Sequence, residues 1–272
     1  MARTALAVVV AALLALPVAC GSVGRGLPCG VATKQPGAGL SVQLTGTPAV
    51  AGGRGEWCTV SRGVNRVVLG VLGHSAVASR TVLYLSDVEG VDGSALSWID
   101  RNLVQRGFQV VVGCYSNAFG PESVPCPNAP DLTSSVLGVT MLLDAAAAMP
   151  SAQPLGVVGV LQGGVVGLMA VAGRSDVRAV VDDGGSPGTL SVFGLGPGPA
   201  LTGPTTVHAS VLVLGPDSPA YDRTFEGALR AGGTPLEDVV YLPRSTGPLT
   251  RDAGVGSRAS SDTVGFLESE LR

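Results

Sequence analysis

The 272-residue sequence predicts an α/β protein, a mostly parallel sheet covered by helices on both faces. Three observations carry this prediction. From Val64 onward, short apolar runs alternate with helix-length amphipathic stretches, the pattern of strands joined by helical crossovers. Hydrophobic residues make up 46% of the chain and charged residues 14%, enough apolar material for one large core or two small ones. Glycine (40) and proline (19) are abundant but fall just short of the range of low-complexity chains, so the chain should fold.

The first element is an export signal. Met1 to Ala19 combine a charged start at Arg3 with an apolar stretch from Ala5 to Leu16, too short to span a bilayer comfortably. The following Pro17-Val18-Ala19-Cys20-Gly21-Ser22 resembles the bacterial lipoprotein signal, in which a small residue precedes a cysteine that becomes the lipidated N-terminus. Pro17 stands where that signal usually has leucine, with Leu16 one step away, so simple secretion is the competing reading. Lipidation of Cys20 leaves Cys29, Cys58, Cys114 and Cys126, an even number for an oxidising compartment. Four cysteines allow three connectivities, and spacing favours Cys29 with Cys58 and Cys114 with Cys126.

Residues 20–63, rich in Gly, Ser, Thr and Pro, read as a tether and a small disulfide-pinned segment with one alternating stretch, Leu40 to Leu44. The predicted globular domain is 64–272. Val64 to Leu72 and Arg80 to Leu85, joined through Gly73-His74-Ser75, read as an antiparallel hairpin. Ser94 is the expected N-cap of a helix carrying Leu96, Ile99 and Leu103, closed by Gly107 before a strand from Phe108 to Val112. Asp131 is expected to cap a helix carrying Val136, Val139 and Leu143. Strands follow at Leu155 to Val160, Val177 to Val181, Ser210 to Leu214 and Val239 to Leu242. The Gly/Pro-rich stretch from Gly184 to Pro204 reads as a surface excursion or lid.

Several functional classes drop out. Of the 17 basic residues only Lys34 is a lysine, and the net charge is −3, so there is no electrostatic footprint for nucleic acid. Lys34 also has no Gly-rich phosphate loop before it. No cofactor or His/Cys metal site is expected.

The informative motif is Gly159-Val160-Leu161-Gln162-Gly163-Gly164, which directly follows a strand and opens a small-residue helix. This is the frame of a nucleophile elbow, Gly-x-Ser-x-Gly, in which small flanking residues let a strained turn present the central side chain. Here the centre is Leu161. With Val82-Leu83-Tyr84-Leu85, Arg106 to Val112, Arg178 to Val181 and Val211 to Asp217 in the same order, the chain resembles the dienelactone hydrolase branch of the α/β-hydrolases over roughly 64–271.

That resemblance implies a triad acid at Asp217, a nucleophile position at Leu161 and a base position near Thr246. Leucine has no lone pair for attack, and threonine cannot shuttle a proton at neutral pH. The two histidines, His74 and His208, are expected at the amino edge of the sheet, whereas sites on such sheets form at the carboxyl edge. Cys114, at the correct edge, reads as a disulfide cysteine rather than a thiolate nucleophile.

Ser86, Asp87 and Gln162 are the candidate ligand-binding residues, and Ser86, Asp87, Glu89, Asp182, Asp183 and Asp217 gather carboxylates at the same edge. Such a group can serve glycoside hydrolysis or a hard cation, but loops after strands are also acidic for solubility and capping. The expectation is therefore an exported, lipid-anchored, catalytically disabled member. It would bind a small apolar or acyl ligand or an envelope protein. The alternative is an active esterase or dienelactone hydrolase with another nucleophile, such as Ser86.

Overall fold

The computed structural model describes residues 41–46, 56–73, 80–87, 90–115, 132–149, 154–186, 207–218, 223–243 and 247–272, with 41–46 and 56 as backbone alone. Among the described residues there are nine strands, β1 (Ser41–Gly46), β2 (Glu56–Arg62), β3 (Asn65–Leu72), β4 (Thr81–Leu85), β5 (Gln109–Cys114), β6 (Leu155–Val160), β7 (Val177–Asp183), β8 (Ser210–Pro216) and β9 (Leu236–Tyr241). They form one sheet in the order β1-β2-β3-β5-β4-β6-β7-β8-β9. From β5 through β9 all neighbours run parallel, while β1, β2, β3 and β5 pair antiparallel.

The central strands explain why this sheet needs two covers. Every residue of β4, β5 and β6 is buried, and their sequences TVLYL, QVVVGC and LGVVGV are nearly unbroken apolar runs. One face is covered by α2 (Leu132–Ala147), α3 (Gln162–Val171) and α4 (Thr224–Ala231), packed on Leu83, Val111, Val157, Val180 and Val211. The other is covered by α1 (Gly93–Asn102) and α5 (Gly256–Glu270), packed on Val82, Val110, Val158, Val181 and Leu212. Successive residues of one strand thus enter different cores, the period-2 geometry of a β-strand.

Three expectations need correction. The hairpin from Val64 to Leu85 does not form: β3 pairs antiparallel with β2 and β5, and β4 lies between β5 and β6 in parallel. The true hairpin is β2-β3, closed by Gly63-Val64, where Gly63 has φ +60° and Arg62 faces Asn65. The sheet also begins before residue 64, because β1 and β2 lie inside the stretch read as irregular. Finally, α1 is capped by Asp92 rather than Ser94. The Asp92 carboxylate accepts from the Ala95 N–H at 2.7 Å, and the Ser94 hydroxyl instead donates to Asp92 at 2.9 Å.

The export segment, Cys20, Cys29, His74, Glu89, Cys126, Asp131, Thr246 and most of the Gly184–Pro204 stretch lie outside the described residues. Among the described residues no helix is long and apolar enough to cross a membrane. Cys58 and Cys114 are fully buried on opposite faces of the sheet, two strands apart, a placement that excludes a bond between them.

Candidate functional site

Parallel β4, β6, β7 and β8 end at one edge, and that edge collects most of the predicted site. Its centre is Leu161, between β6 and α3, with φ 50° and ψ −115°. Leu161 is the single non-glycine with positive φ among the described residues. Such backbone is sparsely populated for a branched side chain and costs about 1–3 kcal/mol, so surrounding contacts must enforce it.

Those contacts are visible. The Leu161 N–H donates to the Asp183 carbonyl at 2.9 Å, and its own carbonyl accepts from the Gly164 N–H at 3.0 Å. Gly159 and Gly163 let the turn close, because there is no room for a side chain at either. A Cβ on Gly159 would lie 2.4 Å from the Gly163 carbonyl oxygen, and one on Gly163 would lie 2.6 Å from the Leu85 and Ser86 carbonyl oxygens. The elbow predicted from Gly-x-x-x-Gly is therefore built, with its first turn pressed against the end of β4. The Leu161 side chain is half-buried against the core shared with α1 and α5.

Behind the elbow the polar groups are poorly satisfied. Gln162 is fully buried, and among the described residues neither its Oε1 nor its Nε2 has a hydrogen-bond partner. Asp182 is also fully buried; Oδ1 accepts from the Gly185 N–H at 2.9 Å while Oδ2 has no partner. Burial holds the Asp182 carboxyl well above the ordinary carboxylate range, opposed by the Gly185 N–H and reinforced by Asp183 and Glu226. Glu226 on α4 is pushed up by burial as well, opposed by its own N–H and by Arg223, which lies 3.6 Å from its Oε1.

Asp183, the next residue, points to the opposite face and is well partnered. It accepts from the Leu249 N–H at 2.7 Å, from the Thr250 N–H at 3.3 Å and from the Thr250 hydroxyl. Burial raises its carboxyl, and these donors together with Arg251 oppose the rise. Asp183 thus pins the chain just after the stretch in which Thr246 falls. That anchoring role was not foreseen, because its partner is 67 residues away.

The other predicted residues are distributed unevenly. Ser86 and Asp87 are buried at the end of β4, beside Gly163, and the Ser86 carbonyl accepts from the Tyr115 hydroxyl at 3.1 Å. Sequence reasoning passed over Tyr115, whose only signal is its place just after β5. Asp217 follows β8, with its side chain exposed and its N–H donating to the Tyr241 carbonyl at 2.5 Å. It shares the edge with Leu161, but no hydrogen bond of its carboxylate ties it to the elbow. His208 is exposed and precedes β8, at the amino edge, as expected. Cys114 ends β5 with no exposed surface. The carboxylates do not converge: no group of three His, Cys, Asp or Glu is disposed to hold a metal among the described residues.

Strand order, elbow and covering helices define an α/β-hydrolase fold. No family model matches the sequence, and no curated protein is similar to it. Solved structures are similar in fold. A dienelactone hydrolase from Anabaena variabilis superimposes with a TM-score of 0.59 at 18% identity, over 84% of this chain and 100% of that one. A dienelactone hydrolase-like promiscuous phosphotriesterase from metagenomic libraries gives 0.57 at 16% identity, over 86% and 100%. The Pyrococcus furiosus esterase gives 0.62 at 10% identity, over 85% and 99%. The chain is thus dienelactone hydrolase-like in fold.

Proposed function

We propose that this protein is a non-catalytic α/β-hydrolase-fold binding protein, exported and held at a membrane by lipid on Cys20. One observation carries the proposal: Leu161 occupies the strained centre of a fully formed elbow. In a working elbow that backbone presents a nucleophile. Here it presents an isobutyl group with no lone pair and no proton to give up. The second missing function is the base. Thr246 stands at its sequence position, and His208 lies at the far edge.

Binding is the function left to such an edge. An apolar side chain at the elbow offers van der Waals contact to an acyl or other small apolar group. The polar groups at this edge include the buried Ser86 and Asp87 and the amide of Gln162, which has no hydrogen-bond partner among the described residues. Asp217, the residue that the resemblance gives as the triad acid, then has neither a base to orient nor a nucleophile to serve.

The alternative, an active esterase or dienelactone hydrolase, draws support from the fold neighbours and requires a nucleophile elsewhere, such as Ser86 or a serine in the Gly184–Pro204 stretch. A fluorophosphonate probe separates the readings. The binding protein stays unlabelled under conditions that label a serine esterase, whereas stoichiometric labelling at one serine establishes the alternative.

A further inference from the structure

The sheet has an open edge. β9 pairs with β8 alone, and among the described residues no strand lies on its other side. We propose that a second copy of this chain pairs there, β9 against β9, antiparallel about a two-fold axis, to make one continuous sheet. The edge is independent of the elbow, so this dimer stands or falls separately from the function proposed above.

The backbone decides which groups are on offer. The Val211 N–H donates to the Pro235 carbonyl at 2.8 Å, and the Asp217 N–H donates to the Tyr241 carbonyl at 2.5 Å. In a parallel ladder one residue directs both its backbone groups to a given neighbour and the next directs both away. Odd-numbered residues of β9 therefore face β8. Leu236, Asp238, Val240 and, just past the strand, Leu242 turn their N–H and C=O groups outward, and such a row is a template for another strand.

The side chains add apolar surface to the same rim. Among the described residues three large apolar side chains are exposed: Val64 at the β2-β3 turn, Val240 (48%) and Leu242 (72%). The last two are adjacent on one face of the open edge. Isolated exposed apolar residues are ordinary, whereas open edges are normally guarded by charge. The acid between Leu236 and Val240 on this face is no guard, because Asp238 is held by Arg223 at 3.0 Å and Arg230 at 3.6 Å.

Self-complementarity selects the occupant and the register. Opposite residues of an antiparallel pair share a face, so the two-fold axis must fall on one residue. With the axis at Val239, all four outward residues meet an outward residue of the second copy: Leu236 lies opposite Leu242, and Asp238 opposite Val240. An axis at Asp238 would set two carboxylates face to face, and one at Val240 would leave Leu236 without a counterpart in the strand. In the Val239 register the exposed Glu237, which has no ion pair among the described residues, lies opposite the second copy's Tyr241. The Arg258 guanidinium stands 5.7 Å from the centroid of that ring. Arg258 is 75% exposed and only 3.9 Å from Asp262, which also accepts from the Tyr241 hydroxyl, so it has donors left for the incoming Glu237. The two Glu237 residues stay about 14 Å apart along the strands, beyond the screening length.

The test is sedimentation equilibrium of the purified protein together with cysteine cross-linking. The parent should sediment at twice the chain mass at micromolar concentration. Val239→Cys puts two thiols on the axis, with Cα atoms about 4.5 Å apart, and should give a covalent dimer on mild oxidation, above the parent. Leu242→Cys is the more exposed position but puts its thiols about 20 Å apart, and should not link; copies gathered loosely through apolar surface or lipid would link it first. Val240→Glu sets a carboxylate against Asp238 of the second copy and should raise the dissociation midpoint about tenfold or more with an unchanged far-ultraviolet spectrum. The proposal is overturned if the parent sediments as a single chain, if Val239→Cys fails to link, if Leu242→Cys links as readily, or if Val240→Glu associates like the parent.

Discussion

Replacing Gly159 by alanine probes the elbow frame without touching any candidate site side chain. The new Cβ would sit 2.4 Å from the Gly163 carbonyl oxygen and 2.5 Å from both the Gly164 N and Cα. All three obstacles are backbone. Gly159 cannot retreat either, because it is paired with Leu85 of β4 on one side and Asp182 of β7 on the other. The start of α3 must move instead. Overpacking of this kind costs about 1–3 kcal/mol. Displacing α3 also weakens the Gly164 N–H to Leu161 carbonyl bond, at a further cost of about 1 kcal/mol.

A total of about 2–4 kcal/mol lowers the unfolding temperature by roughly 5–15 °C in a domain of this size. Gly265→Ala in α5 is the control: nothing lies within 4 Å of its Cβ, and relief of glycine in a helix should stabilise by up to about 1 kcal/mol. Paired thermal melts decide the matter. If Gly159→Ala unfolds within a degree or two of the parent, the turn is not the tightly enforced elbow described above.

Other perturbations have equally definite outcomes. Because burial raises the folded-state carboxyl of Asp182, its contribution to stability is fully present below the unfolded carboxylate range and is lost as pH rises towards the folded value. Asp182→Asn should therefore flatten the fall in stability between acid and neutral pH, as read by urea melts across that range; an unchanged slope refutes the assignment. Non-reducing peptide mapping should find Cys29 joined to Cys58 and Cys114 to Cys126. A free thiol at Cys114 or a Cys29–Cys114 pair overturns the assignment. Cys20→Ser should release the protein from the membrane fraction, and firm retention would exclude the lipid anchor. Leu161→Ser alone should not confer ester hydrolysis, since a serine without its base is a poor nucleophile; Leu161→Ser with Thr246→His offers the better chance, and turnover by the single variant would show that a base is already present.

Much of the fold was legible because the central strands are buried on both faces. Leu155–Val160 is apolar throughout and is followed at once by small residues, a combination that specifies both the strand and the turn. The β3-β4 hairpin misread has a physical cause. Gly73-His74-Ser75 between two apolar runs is good turn chemistry, yet β3 is buried along most of its length and gains more by lying between β2 and β5. Local signals also could not choose between Asp92 and Ser94, two cap-forming residues one position apart from a shared glycine; the structure uses both, with Ser94 supporting Asp92. Leu161 was readable as the elbow's centre. The clamp of Asp183 on Thr250 and the Tyr115 support of Ser86 were not, since each joins residues far apart in sequence.

The central claim, that the elbow is formed but does no chemistry, is tested most directly by the rate at which the purified protein hydrolyses p-nitrophenyl acetate. The account predicts a rate equal to that of buffer, unchanged by Asp217→Ala. Hydrolysis well above buffer and abolished by Asp217→Ala would contradict it.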